Sequence, residues 1–344
     1  MLAQPSLSSF IESTVTAKVL PTGLLPLNNN SSLIEIANFH TATVVDEDGK
    51  TPVGFGVMNQ CNSKQAYCML GRVADKYKRN AVDVKEITEQ GETKNTLFQV
   101  VSSMEGVIEK HCMRPYTAVF ADDEKRLMQH VLMDTLLEQT IGTFNMDMEK
   151  NVTIDILGEE KENTDIWRDH SGFLVDDANK IVEITADKQS FLDVFTEEAG
   201  ECEVTINAID KNNVADVLDF DEGVSLYSRA AYLNYLIGHS EIKGFLASSA
   251  PGSAAGYILS SDDRILQCYA ETSQIAAKLF AAAGSAARGE NVTFFGRPEA
   301  NAAIDALRKK AAKVQDVFRL HTRTKQVQVK WALVHAVNVG ISVV

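Results

Sequence analysis

The stretch Ile265 to Ala283, ILQCYAETSQIAAKLFAAA, changes its hydrophobic period within three residues. Ile265, Leu266, Cys268 and Tyr269 form a short apolar run of strand character, whereas Ile275, Ala276, Leu279, Phe280 and Ala283 recur at helical spacing. Thr272 and Ser273 stand where a helix N-cap belongs. A buried strand therefore feeds an amphipathic helix with almost no loop. A helix start offers free N–H groups and partial positive charge, which suit a phosphate. The same residues equally describe an ordinary strand–helix corner with nothing bound.

Outward from this junction the second half reads clearly. Val214–Leu236 is helical, with Arg229, Tyr232, Leu233 and Leu236 on one face. Strands follow at Ile242–Ser248, Ala254–Leu259 and Ile265–Tyr269, then the helix Gln274–Ala287 and the strand Asn291–Phe295. Ala300–Lys313 reads as a helix, Val317–Thr322 as a strand, and the apolar runs Trp331–Val337 and Val339–Val344 close the chain. In the first half, His40–Val45 and Val53–Met58 flank the turn Asp46-Glu47-Asp48-Gly49, a hairpin signal. Ala66–Val73 is a third strand, Thr96–His111 a helix, Tyr116–Ala121 a strand and Glu124–Gln139 a helix. Phe191–Phe195 reads as a short helix and Val204–Ala208 as a strand, while 145–170 is polar and charge-rich.

The two halves share this order of elements. TPVGFGV (51–57) aligns with SAAGYIL (253–259), which sets Gly54 opposite Gly256. A unit near 130 residues is too long for a solenoid repeat, so duplicated domains are the simpler reading. The expected fold is mixed α/β, with an N-terminal arm at 1–30, one domain at 31–145, a connecting segment at 146–203 and a second domain at 204–344.

The 344 residues carry a formal charge of −14, which disfavours binding to nucleic acid or an anionic membrane surface. The five cysteines, Cys61, Cys68, Cys112, Cys202 and Cys268, are scattered and form no CxxC. That points to a reducing compartment and to no zinc or disulfide framework. The seven histidines form no pair at i, i+3 or i, i+4, so no metal site is expected. Ile11–Leu27 carries Glu12, Lys18 and two prolines and is neither a signal peptide nor a span. A cytoplasmic or nuclear location is expected.

The order helix, three antiparallel strands, helix, strand, helix, two closing strands resembles the GNAT superfamily of N-acetyltransferases, in particular its tandem-domain type. That type carries D-x-x-V-x-x-x-x-R-x-x-[FY]-L on a helix, a G-[YF] strand and a Y-A-[DE]-x junction. This chain has Asp219 or Asp221, Arg229, Tyr232 and Leu233, then Gly256-Tyr257, then Tyr269-Ala270-Glu271-Thr272. Its end, LHTRT…WALVHAVNVGISVV, is similar to the closing strands. The likeness covers 204–344 well and 31–140 loosely, and it also points to a lineage-expanded family of uncharacterised GNAT-like proteins.

The resemblance implies tandem domains. Each would be a twisted, mostly antiparallel sheet with a central splayed parallel strand pair, flanked by helices. It implies acetyl-CoA as co-substrate, its pantetheine arm in the splay and its pyrophosphate at the next helix start. Cofactor contacts would then come from Tyr269, Thr272, Ser273, Gln274 and Ile275 in the second half, and from Val73, Lys78, Arg79 and Asn80 in the first. The acceptor would be an amine, on a small molecule or a peptide. Glu35, His40 and Glu271 are base candidates by position.

The chain departs from the family's [RQ]-x-x-G-x-[GA] pattern. Lys78 takes the first position, but Ala81 and Asp83 stand where the glycines belong. The second half has no glycine there either, and Glu271 adds negative charge. Where the family places a tyrosine in N-x-x-A-x-x-x-Y, residues 301–308 end in Arg308, which cannot donate a proton near neutral pH. A catalytically degenerate fold serving as a binding module for CoA or protein is therefore the alternative to an N-acyltransferase. The intact strand–helix junction ranks the second half ahead as the cofactor site. Cys68 and Cys268 read as small buried hydrophobes.

Overall fold

The computed structural model describes residues 38–88, 95–105, 126–142, 149–158, 167–168, 172–238, 240–250, 253–323 and 328–339. The arm at 1–30, Glu35, Cys112 and the expected strand at Tyr116–Ala121 lie outside these residues. The first half runs β1 (Phe39–Val45), β2 (Pro52–Asn62), β3 (Gln65–Val73), β4 (Asn80–Glu86), β5 (Asn95–Glu105), β6 (Arg126–Leu127), α1 (Met128–Thr140) and β7 (Asn151–Leu157). Then come β8 (Val175–Asp176), β9 (Ile181–Asp187) and α2 (Lys188–Ala199). The second half is β10 (Thr205–Ala208), α3 (Val214–Ser225), α4 (Ala230–Ile237), β11 (Ile242–Ala250), β12 (Ser253–Ser261), β13 (Arg264–Ala270), α5 (Ser273–Ala286), β14 (Asn291–Gly296), α6 (Ala302–Arg308), β15 (Lys313–His321) and β16 (Val334–Ala336).

All the described strands join one mixed, mostly antiparallel sheet, in the order β10-β11-β12-β13-β16-β14-β9-β15-β7-β3-β2-β1-β5-β4-β6, with β8 on β15. This is the mixed α/β architecture expected, and each half contains a parallel pair: β3 with β7, and β13 with β14. At the centre the halves interleave, because β9 sits between β14 and β15, and β15 between β9 and β7. Helix α1 covers one face of the first half. On the same terms α2, α5 and α6 cover the second, where Phe195 stacks on Phe280 at 4.4 Å. The opposite face carries one apolar cluster common to both halves, in which Phe55, Val57 and Tyr67 join Tyr232, Tyr257, Tyr269 and Val334.

Several elements differ from the sequence reading. Thr96–His111 is not a helix: its described part is the strand β5, paired parallel to β1 and antiparallel to β4. The run TLFQVV is rich in β-formers, and the helical spacing was a coincidence of period. Among its described apolar residues only Val100 is buried, while Val101 and Met104 are about half exposed. The polar region 145–170 holds β7, a central strand, and 146–203 also contains β8, β9 and α2. Val214–Leu236 is two helices, broken at Leu226, which adopts φ 59°. The helix expected to Lys313 stops at Arg308, and Lys313 already begins β15.

The alignment of Gly54 with Gly256 holds in register. Gly54 pairs with Val73, the last residue of β3, and Gly256 with Ala270, the last residue of β13. Their surroundings differ. A Cβ on Gly256 would lie 2.7 Å from the Tyr269 carbonyl oxygen and 2.8 Å from Ala270 Cα, both backbone, whereas one on Gly54 would first meet the mobile Met128 Sδ at 2.6 Å. Gly256→Ala is therefore expected to cost about 2–3 kcal/mol and Gly54→Ala about 1 kcal/mol or less. Urea unfolding of the two variants checks the order; equal losses would contradict it.

Candidate functional site

A parallel pair that diverges leaves unmatched backbone groups on its inner edges. In the second half β13 and β14 share one register pair, Arg264 with Thr293, and then part. Strand β16 lies in the gap, pairing Cys268 and Gly296 with Ala336, and Tyr269 with Val334. The Arg297 N–H donates to the His335 carbonyl at 3.0 Å and the Val337 N–H to that of Phe295 at 3.0 Å. Strand β16 thus takes up backbone groups that β13 and β14 leave between them.

The helix start beyond this fork has the expected local form. Thr272 is the N-cap of α5, its Oγ1 accepting from the Ile275 N–H at 3.2 Å. Glu271, Thr272 and Gln274 are exposed, while Tyr269 and the Ile275 side chain are buried. Asn301, the N-cap of α6, donates to the Ser273 carbonyl at 3.3 Å and ties the two helix starts together.

In the first half β3 and β7 pair from Gln65–Asn151 to Cys68–Ile154, and no pairing is recorded beyond that among the described residues. Val73 ends β3, but no helix follows: residues 75–77 form a 3-10 turn and Asn80 opens β4. The expected strand–helix junction at 73–83 is absent, because the hairpin of β4 and β5 is inserted before α1. In the basic turn, Lys76 pairs with Asp46 at 3.4 Å and Lys78 with Asp75 at 2.6 Å, while Arg79 is exposed. Among the base candidates, His40 is buried on β1 and Glu271 is exposed beside the other fork, so the structure does not bring them together.

Two buried ion pairs were not legible as such. In the second half Arg229 holds Asp221 through Nε at 3.0 Å and through Nη2, and Tyr257 donates to the same carboxylate. Gln267 donates to the Tyr257 hydroxyl at 2.6 Å, and Arg229 Nη2 also donates to the Tyr269 hydroxyl at 3.2 Å. Of the two candidates, Asp221 rather than Asp219 is the partner of Arg229. At the first-half fork Asp155 accepts two bonds of 2.7 Å from Arg319 and one of 2.6 Å from the Tyr67 hydroxyl. Burial opposes the Arg319 charge, but Asp155 outweighs it and keeps the guanidinium firmly protonated.

Next to this pair, His321 bridges Thr153 and Asp177, at 2.8 Å each. Burial works against ionisation of Asp177, yet the His321 bond, the Asn179 N–H and the Arg319 charge bring it down to about 2. Trp331 packs over Arg319 and over Arg297, at 5.6 and 5.0 Å from ring centroid to Cζ. Arg319 and His321 alternate with apolar residues on a core-facing strand, and Thr153 with Asp155 do the same on β7. Charged residues at inward positions were the available signal.

Cys68 and Cys268 are buried, and burial pushes the Cys268 thiol well up, so neither is a nucleophile. A cleft between the β1–β2 hairpin and the α3–α4 loop, lined by Asn38, Asn59, Gln60, Tyr227 and Arg229, has a volume of about 30 Å³. That is room for about two waters.

A family model described as a domain of unknown function (DUF7596) matches residues 26–175, ending within β8. No curated protein matches the chain. Among solved structures, a putative acetyltransferase from Pyrococcus horikoshii is 14% identical with TM-score 0.48, over 84% of this chain and 75% of that one. A GCN5-related N-acetyltransferase from Kribbella flavida is 13% identical with TM-score 0.42, over 79% and 58%. The N-myristoyltransferase of Saccharomyces cerevisiae with bound myristoyl-CoA is 6% identical with TM-score 0.43, over 86% and 70%. Likeness at this level carries no argument about what this chain does.

His335, at the heart of the inserted strand, is 1% exposed. Its ring lies 3.3 Å from the Ala270 carbonyl, and burial lowers its pKa to about 4. The unfolded chain therefore takes up a proton near pH 6.5 that the folded chain refuses until about pH 4. The stability due to neutral His335 is complete above pH 6.5 and falls by about 3 kcal/mol as pH drops to 4. Unfolding midpoints across this range should show that slope, and H335N should flatten it.

Proposed function

We propose that this chain is a GNAT-like, acyl-CoA-dependent N-acyltransferase whose cofactor site lies at the β3–β7 fork of the first half. The acceptor is an amine. One observation carries the choice of fork: β16 is built into the β13–β14 gap, whereas β3 and β7 part beyond Cys68 and Ile154 with no third strand between them among the described residues. When bound, the acyl-CoA supplies the activated thioester. The chain's own part falls to three groups on the face away from α1. Tyr67 presents its hydroxyl beside the fork, Asp155 holds that hydroxyl, and Arg319 pairs with Asp155. Lys78 and Arg79, at the exit of β3, are the cations placed to meet phosphates. Val73 and Asn80 flank them. The strand–helix junction at Tyr269–Ile275 becomes a structural corner.

A second reading, a catalytically degenerate fork that binds CoA or protein without transfer, is favoured by the saturation of Asp155. Its oxygens already accept three bonds from Arg319 and Tyr67, which leaves little of the carboxylate open to a substrate. Calorimetric titration of the full chain with acetyl-CoA separates the possibilities. Arg79→Glu is expected to weaken binding about tenfold and to reduce its salt dependence. Ser273→Asp should leave affinity within about twofold. The reverse pattern would return the site to the second half, and absence of binding would sink the reading. Binding without acetylation of any amine would select the degenerate form.

A further inference from the structure

We infer that Arg297, beneath the indole of Trp331, anchors a binding site for a small monoanionic carboxylate. Arg297 follows β14 and is only 7% exposed. The other two buried arginines among the described residues have carboxylate partners: Arg319 has Asp155 and Arg229 has Asp221. Among the described residues Arg297 has none within ion-pair distance. Its Nη1 donates to the carbonyls of Trp331 and Val334, and its Nη2 to Asn179 Oδ1 at 2.8 Å, all neutral acceptors. Its Nε–H is buried and has no partner at all.

A buried guanidinium with no carboxylate in contact is costly, even with Glu299 and Asp177 close enough to act on its charge, and a buried N–H without an acceptor adds to that cost. The Trp331 ring offsets only part of it, and shares itself with a second cation, Arg319. Scarcity of acids is not the reason, since the chain has 47 Asp and Glu against 33 Lys and Arg. One bare N–H directed by two neighbouring cations suits a single carboxylate oxygen better than a phosphate dianion, which asks for several donors. Trp331 is partly exposed and Ala332 exposed, so the indole lies between Arg297 and solvent. The inference does not depend on acyl transfer.

Trp331 also reports on the site. The chain has two tryptophans, so W167F leaves Trp331 as the single one. In full-length W167F at constant ionic strength, acetate and N-acetylglycine should change Trp331 emission saturably, and chloride should not. Adding R297Q should weaken the response at least about tenfold. Should R297Q fail to fold, R297K replaces the fork by a point charge and is expected to weaken it several-fold. No saturable response, an equal response to chloride, or a response unchanged in folded R297Q or R297K would overturn the site. Tighter binding of inorganic phosphate than of either carboxylate would overturn the ligand class.

Discussion

Two parallel strands that splay apart create a fork of unpaired peptide groups, and the molecule must satisfy it with something. In the second half it does so from its own chain. Strand β16 pairs with both arms of the fork, and residues 334–339 are each at most 3% exposed. An insertion so deeply packed is core, not a loosely held occupant: expelling it would expose Val334, Ala336, Val337 and Val339 together. The fork geometry therefore persists in the second half as architecture, with its backbone groups already committed.

The same insertion organises the rest of the sheet. With β16 beside β14, the neighbour on the other side of β14 is β9, which follows the first-half strand β7 in sequence. Strand β15 of the second half then pairs with both β9 and β7. This interleaving delivers Arg319 from the second half to Asp155 of the first, and Arg297 clamps the strap at Trp331 and Val334. The first-half fork consequently owes its ion pair to a strand encoded more than 150 residues later. Each half expressed alone would leave one member of a buried pair uncompensated and strand edges bare, so the working unit is the whole chain.

The sequence carried the second half well because its periods are clean. ILQCYAETSQIAAKLF gave both the strand and the helix, Thr272 took up the cap, and Gly54 and Gly256 fell at equivalent fork positions. It misled where two periods coincide: TLFQVVSSM satisfies a helical spacing while its β-formers pair as β5. It was silent on β7, whose NVTIDIL lies in a charged neighbourhood, and on the partners of Asp155 and Arg319, which are 164 positions apart. Such pairings are set by which strands become neighbours, and a strand order that interleaves two halves leaves no trace in local periodicity.

That limit explains why the two forks exchange rank. Judged from residues, the junction at Tyr269–Ile275 is the better phosphate site, having a capped helix and a short turn, while the first half carries Ala81 and Asp83 in place of glycines. A helix N-terminus, however, binds the far end of an extended ligand only if the rest of that ligand has somewhere to lie. At the second fork the strand pairing that would hold it is already made by Val334–Ala336. We therefore weigh availability of the slot above quality of the corner, because a bound arm would have to displace the β16 pairing and its buried side chains before gaining a single phosphate contact.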